Sequence, residues 1–373
     1  MIGAGQHVKK QDFETVYFDF EVYSFQNYGG ISRYFSTLCK LLPAQGWKPI
    51  TVAGLHMNQY LRDAEKVMGV WTPGVAHTVR GRLLLNGMIQ WPILRLCRPM
   101  VLHKTYYGRH SYPKGCRTVV TVHDLIPELG YVQDDRLAAN KKHACEKADH
   151  IIAVSYTTKT DLIRLTGLPS ESVSVIHLAA GIEPCERAPS RNVSERPYLL
   201  YVGNRRLYKS FNVLLSAYST SERLRADYDL ILFGGEPLTA HEMQEFRRLE
   251  ISARVRRIHG NDRLLAAVYQ EARALIITSL YEGFGLPALE AMRLRCPVVA
   301  SDIPATREVA EEVAAYYAPG QPDDLRMVLE RVLYDDDELS RMREAGAVRS
   351  LAFSWRSTAE QTAAVYRHLG FPA

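Results

Sequence analysis

The sequence predicts an α/β protein made of two Rossmann-like, doubly wound domains facing each other across a cleft. Three observations carry this reading. The chain has 373 residues, more than one ordinary core holds and enough for two domains of about 150–200 residues each. Short β-branched apolar runs alternate with segments of helical periodicity along its whole length, the pattern of parallel sheets covered by helices. A strand, a glycine turn and a helix start follow one another near the beginning of each half and again in the C-terminal third.

The elements follow in order. Val16-Tyr17-Phe18-Asp19-Phe20 is the first strand. Gly29-Gly30 then leads into a helix whose apolar positions Ile31, Tyr34, Phe35, Leu38 and Leu42 recur at helical spacing. Gly30 either lets a ligand approach the backbone or simply permits a tight turn. A strand at 49–53 comes next, and then segments 80–85 and 91–98, where arginines bracket leucines and a Trp. These resemble either an interfacial segment or a core helix with a solvated edge. The buried strand 117–122 ends at His123-Asp124, the carboxyl edge where open α/β sheets bind ligands. Strand 150–155 precedes a helix capped by Ser155, and strand 173–177 closes the first domain, which is expected to span 1–184. A proline-bearing linker, 185–197, leads to the second domain, 198–355. Its first strand, 198–202, runs into a turn with Gly203, Arg205 and Lys209, and strands at 229–233, 255–259, 274–278 and 297–300 follow. A last amphipathic helix, capped by Ser354 or Ser357, occupies the tail.

Composition narrows the class. A content of 47% hydrophobic and 23% charged residues excludes a disordered chain. Residues 1–10 lack the apolar core of an export signal, and the apolar run 83–94 is short of the ~20 residues that span a bilayer. A cytoplasmic protein, soluble or peripheral on the inner face of the membrane, is expected. The six cysteines (Cys39, Cys97, Cys116, Cys145, Cys185 and Cys296) have no metal spacing and read as reduced thiols. The net charge of +5 is unevenly spread. No acid occurs across 66–123, while Lys66, Arg80, Arg82, Arg95, Arg98, Lys104, Arg109, Lys114 and Arg117 are cationic. Such a region expects an anionic partner, either a phospholipid surface, a polyphosphate or a nucleic acid.

The chemistry centres on Glu282-Gly283-Phe284-Gly285-Leu286-Pro287-Ala288-Leu289-Glu290. A glycine turn opening a helix leaves backbone N–H groups and positive dipole for a phosphate. A phosphate alone would not want the two carboxylates, Glu282 and Glu290, but a phosphate attached to sugar hydroxyls would. Arg205 and Lys209, two cations at another strand-to-helix turn, fit a diphosphate, against the plain alternative of solvated surface charge. His123, with Asp124 after it, is the first domain's candidate. Fixed cations and amides would stabilise a nucleoside diphosphate leaving a sugar, with no metal needed.

At these residues the sequence resembles retaining GT-B glycosyltransferases of family 4. Glu282 to Glu290 looks like their E-x7-E signature, and Tyr201-Val202-Gly203-Asn204-Arg205 with Tyr208-Lys209 resembles their diphosphate turn. Tyr28-Gly29-Gly30-Ile31-Ser32-Arg33-Tyr34-Phe35, Val122-His123-Asp124 and Phe353-Ser354-Trp355 also match. The resemblance implies that Glu282 contacts the donor sugar, Glu290 the ribose, and Arg205 and Lys209 the diphosphate. The amides after Gly283 (Phe284, Gly285 and Leu286), together with Gly203 and the Gly30 turn, complete the nucleotide-sugar site, and His123 lies beside the sugar. It further implies a helix 356–373 that crosses back to the first domain, and no cofactor beyond the nucleotide-sugar co-substrate. No side chain identifies the base. The 28–35 pattern looks like mannosyltransferases of bacterial surface polysaccharide assembly, which suggests GDP-mannose. The acceptor implied is a glycan or a polyprenyl-diphosphate-linked oligosaccharide, with 66–117 against an anionic membrane.

Rival readings have specific weaknesses. Gly283 to Ala288 spells G-x-G-x-x-A, with Asp302 after the next strand, as in a dinucleotide-binding dehydrogenase. Glu282 would then oppose the pyrophosphate, and Arg205 and Lys209 would go unexplained. A non-hydrolysing nucleotide-sugar epimerase shares the two-domain plan. A nucleic-acid module lacks any helix-turn-helix, zinc-finger or RNP pattern, so no nucleic acid is expected. Asp335-Asp336-Asp337 reads as a solvated helical face, not a metal site.

Overall fold

Continuous apolar runs become the strands of two all-parallel sheets, as they do where helices cover both faces of a sheet. In the computed structural model, residues 14–62, 67–72, 79–97, 99–109, 115–185, 193–205 and 207–370 are described. Residues 1–10, Lys66, Arg98, Lys114 and most of the expected linker lie outside these. The first sheet comprises β1 (Glu14–Phe18), β2 (Trp47–His56), β3 (Val67–Trp71), β4 (Val101–Lys104), β5 (Arg117–Val122), β6 (His150–Ala153) and β7 (Val173–Val175), in the order β3-β2-β1-β4-β5-β6-β7. The second comprises β8 (Tyr198–Val202), β9 (Asp229–Phe233), β10 (Val255–Ile258), β11 (Ala274–Ile277), β12 (Val298–Ser301) and β13 (Ala315–Tyr317), in the order β10-β9-β8-β11-β12-β13. Strand order reverses between β1 and β4 in one sheet and between β8 and β11 in the other. Doubly wound folds bind ligands beyond the carboxyl ends of the strands at that reversal. The loops after β1, β4, β8 and β11 therefore stand where a ligand is expected.

The final helix, Trp355–Gly370, leaves the second sheet and packs on the Gly30–Leu41 helix and β4. Ser354 caps it, its Oγ accepting from Ser357 N at 3.2 Å. Trp355 Nε1 donates to Ala180 O at 2.9 Å, and Tyr366 Oη hydrogen-bonds His103 Nδ1 at 2.6 Å inside the first core. Burial holds His103 near a pKa of about 3, so it is a neutral strut there.

The acid-free region differs from the sequence expectation. Residues 80–85 and 91–97 belong to one helix, Val79–Cys97, that runs through Pro92. Arg82 is not a surface cation. It is buried, with Nε donating to Ser24 O at 2.9 Å, because the backbone after β1 needs a donor there. Lys104 is also buried, and its Nζ donates to Gly108 O. Arg117 pairs with Asp149 at 2.8 Å. Arg80, Arg95 and Arg109 remain at the surface. No described helix is long and apolar enough to cross a membrane.

Candidate active site

The turn after β11 is built as its residues require. Gly285 has φ +96° and caps the Leu286–Arg293 helix, a conformation that disfavours side chains with a Cβ, and Pro287 sits in the first turn. The turn after β8 is tied to it: Thr278 Oγ1 donates to Lys209 O at 2.6 Å and Leu280 N to Tyr208 O at 2.8 Å. This fastening brings the side chains together. Lys209 Nζ donates to Glu282 Oε1 at 2.5 Å, and Ser279 Oγ donates to the same oxygen at 2.7 Å. Burial alone would lower the Lys209 ammonium, but the Glu282 carboxylate outweighs it and raises its pKa, so Lys209 stays charged.

The first domain closes onto this turn. A Cβ at Gly283 would collide with the His123 carbonyl oxygen, so only glycine seats here. Gly283 O accepts from Ser155 Oγ at 2.5 Å and from Thr158 Oγ1 at 2.9 Å. Tyr281 reaches into the first domain's core and stacks on Tyr131, with centroids 5.5 Å apart. A Cβ at Gly30 would lie 3.6 Å from Leu286 Cδ2. The Gly30–Leu41 and Leu286–Arg293 helices thus bring their positive N-terminal ends to one place. His123 Nε2 is buried with no hydrogen-bond partner among the described residues. Burial, reinforced by Lys141 and opposed by Asp124, lowers the His123 imidazole to about 4, so it is neutral near pH 7.

Glu290 was expected to face a ribose. It is buried, and its Oε1 accepts from Arg33 Nη1 at 2.9 Å across the cleft. Arg33 also donates to Asp262 Oδ1 at 2.7 Å and Tyr60 Oη at 3.1 Å. Burial raises the Glu290 carboxyl to about 7, despite the opposing Arg33 charge. Arg205 and Lys209 have different partners. Arg205 Nε pairs with Glu242 at 2.5 Å, and Nη2 donates to Glu236 O at 2.7 Å, leaving Nη1 buried and without a partner among the described residues. Asp302 is bound by Arg307 at 2.7 Å and 3.0 Å. Asp335 caps the Asp336–Ser350 helix, which accounts for that acidic run.

Sequence reasoning assigned no role to Arg33, Asp262, Tyr281 or the second strap between the domains, in which Glu308 accepts from Tyr156 N at 2.8 Å and bonds His177 at 2.7 Å. A signal existed for Arg33. It is a cation in the first turn of a helix, where the dipole disfavours it unless a carboxylate compensates.

Two families match adjacent parts of the chain: Glycosyltransferase Family 4 over residues 28–183 and Glycosyl transferases group 1 over residues 183–349. O-antigen chain mannosyltransferase B of Escherichia coli is 29% identical over 271 residues, 68% of this chain and 71% of that protein. The serotype-specific mannosyltransferase WbdA of Escherichia coli is 30% identical over 271 residues, 65% of this chain but only 32% of that longer protein. Sucrose-phosphate synthase of Thermosynechococcus elongatus superposes over 96% of this chain and 99% of its own, with a TM-score of 0.78 at 20% identity, a likeness of fold. With paired parallel sheets and both halves matched, the chain belongs to the GT-B glycosyltransferases, a family 4 region followed by a group 1 region.

Proposed function

We propose that the protein transfers mannose from GDP-mannose, with retention and without a metal. The acceptor is a glycan or a polyprenyl-diphosphate-linked oligosaccharide in polysaccharide assembly. The observation that carries this reading is the meeting of the Lys209–Glu282 pair with two helix N-termini at one point in the cleft. Lys209 and the amides of Phe284, Gly285 and Leu286 take up charge on the departing diphosphate. Arg205 joins them by exchanging its carbonyl partners for phosphate. Glu282 holds the sugar hydroxyls, and neutral His123 lies beside them. Glu290 takes the ribose, a place it now shares with Arg33. The leaving phosphate oxygen accepts the acceptor hydroxyl's proton as the new glycosidic bond forms. The mannosyltransferase names of the relatives support the choice of mannose.

A thermal-shift panel of GDP, UDP, ADP and dTDP with their sugars tests the donor. GDP is expected to give the largest rise in melting temperature, and a larger one from UDP or ADP would replace the donor. Conversion of a UDP-sugar without acceptor would favour an epimerase instead. Lys209→Ala is expected to weaken nucleoside diphosphate binding about tenfold or more, as loss of a charge-assisted contact does. Unchanged affinity by calorimetry would remove Lys209 from the site.

The Val79–Cys97 helix is proposed to rest on an anionic membrane, with Arg80 and Arg95 toward the headgroups. Leu84, Met88 and Leu96 are 70%, 75% and 84% exposed, and the Arg95 guanidinium lies 3.6 Å over Trp91. Arg80→Glu with Arg95→Glu should cut sedimentation with phosphatidylglycerol vesicles about tenfold or more at low salt. Equal sedimentation of the two proteins would end the membrane reading.

A further inference from the structure

The first sheet has a strand-order reversal of its own, and beside it Glu21 and the loop after β4 are not used by the donor site described above. They line a cavity of about 820 Å³ between the Val79–Cys97 and Asp135–Lys147 helices. Glu21, just after β1, and Tyr106 to Arg109, after β4, stand on its wall, as does Arg136. Arg80 and Leu84 complete it from the exposed helix. This is the place in a doubly wound sheet where a ligand is expected.

Charge and neighbours define the ligand. Arg80, Arg109 and Arg136 are exposed, and none pairs with a carboxylate among the described residues. Fifteen other described arginines do find one. Of the two acids on the wall, Asp134 is committed as a cap, accepting from Leu137 N at 2.9 Å. Glu21 accepts from Gly108 N at 2.6 Å, and burial, with Asp19 nearby, raises its carboxyl to about 8. Its charge is thus largely suppressed at neutral pH. The cavity therefore presents three guanidiniums without a described carboxylate partner to whatever enters. Guanidinium is the side chain best shaped for phosphate oxygens. Leu83 and Leu84 carry the cavity onto the exposed apolar side of the same helix, so polar and apolar recognition are continuous.

The cavity is linked to the cleft through Tyr107. Tyr107 lines the cavity, and the Tyr107 Oη accepts from His123 N at 3.2 Å. His123 O is the atom on which Gly283 seats, next to Glu282. One tyrosine thus separates the cavity from the candidate transfer point.

We propose that this cavity binds the diphosphate of a lipid-linked acceptor, with Arg80, Arg109 and Arg136 on the phosphates and the hydrocarbon chain along the Val79–Cys97 helix. The assignment of the lipid as acceptor rests on the transferase reading, but binding of the lipid diphosphate does not.

Calorimetry with farnesyl diphosphate, inorganic pyrophosphate and farnesol on the full chain tests it. Farnesyl diphosphate is expected to bind at least about tenfold tighter than either fragment, since each supplies half the contacts. The triple Arg80→Gln, Arg109→Gln, Arg136→Gln variant should weaken it about a hundredfold and leave GDP affinity and melting temperature unchanged. Leu84→Ser with Met88→Ser, both on exposed positions, should weaken farnesyl diphosphate and spare pyrophosphate. Unchanged affinity in the triple variant, displacement of farnesyl diphosphate by GDP, or binding only to phosphatidylglycerol vesicles would each overturn the assignment. Arginine-dependent lipid binding without any nucleotide binding would leave this site standing and sink the transferase reading. The opposite pattern would sink the site alone.

Discussion

A Glu282→Gln protein is expected to turn over about 10²–10³-fold more slowly than the parent while binding the nucleoside diphosphate as well, the effect of removing one preorganised charge. The geometry isolates that charge. Lys209 and Ser279 both hold Oε1, at 2.5 Å and 2.7 Å, while Oε2 has no partner among the described residues. The carboxylate is thus fixed by one oxygen and open at the other. Glutamine keeps the volume and an oxygen for Lys209, so little but the charge is lost. In the proposed transfer, that charge would act where the sugar carbon gains positive character. Alanine is a poorer probe, because besides the charge it removes the acceptor oxygen that Lys209 and Ser279 hold and leaves a void. Initial rates and calorimetry with GDP check the two expectations separately, and a melting curve checks that the fold is kept. Near-parent turnover in Glu282→Gln would remove Glu282 from the chemistry.

The parts of this site that sequence showed are those whose local pattern is itself the structure. β8, β11 and the Leu230–Phe233 part of β9 are apolar runs buried in the sheet, and Gly285 and Pro287 mark a helix start by backbone constraint. β4 was not legible, because Val101-Leu102-His103-Lys104 ends in two residues that usually face water. Both are buried here only because Tyr366, Thr121 and the Gly108 carbonyl meet them from elsewhere in the chain. Missing β4 also hid the reversal beside it, and with it the arginine-lined cavity. Arg82 misled for the same reason: charge was visible, but the Ser24 carbonyl that internalises it was not. Glu290 could be read as a carboxylate at a helix start, but not as one held from the other domain. Such long-range pairing leaves no periodic trace in either segment.

Arg33→Ala should destabilise the protein in a pH-dependent way. Folding raises Glu290 from its ordinary 4.5 to about 7, burial outweighing Arg33. A carboxyl raised by folding holds its proton more tightly in the folded state. Its contribution is therefore full below 4.5 and is lost as pH rises through about 7. Without Arg33, burial and Asp262 act on Glu290 unopposed by that charge, so its titration moves higher still. In the parent the loss levels off above about 7, whereas in the variant it continues. The two proteins should thus differ little on this account at pH 6, and by up to about 2 kcal/mol more at pH 8.5, each pH unit above about 7 being worth about 1.4 kcal/mol. Asp262 is 42% exposed and regains water when Arg33 is gone, so it adds little to this slope. Denaturant melts at the two pH values measure the difference directly. An equal loss at both would mean that Arg33 acts through Tyr60 and Asp262, and that Glu290 does not depend on the opposite domain. A growing loss would establish that the buried carboxylate of one domain is kept ionisable by a cation of the other. Closing the cleft would then be part of preparing Glu290 to accept a ribose.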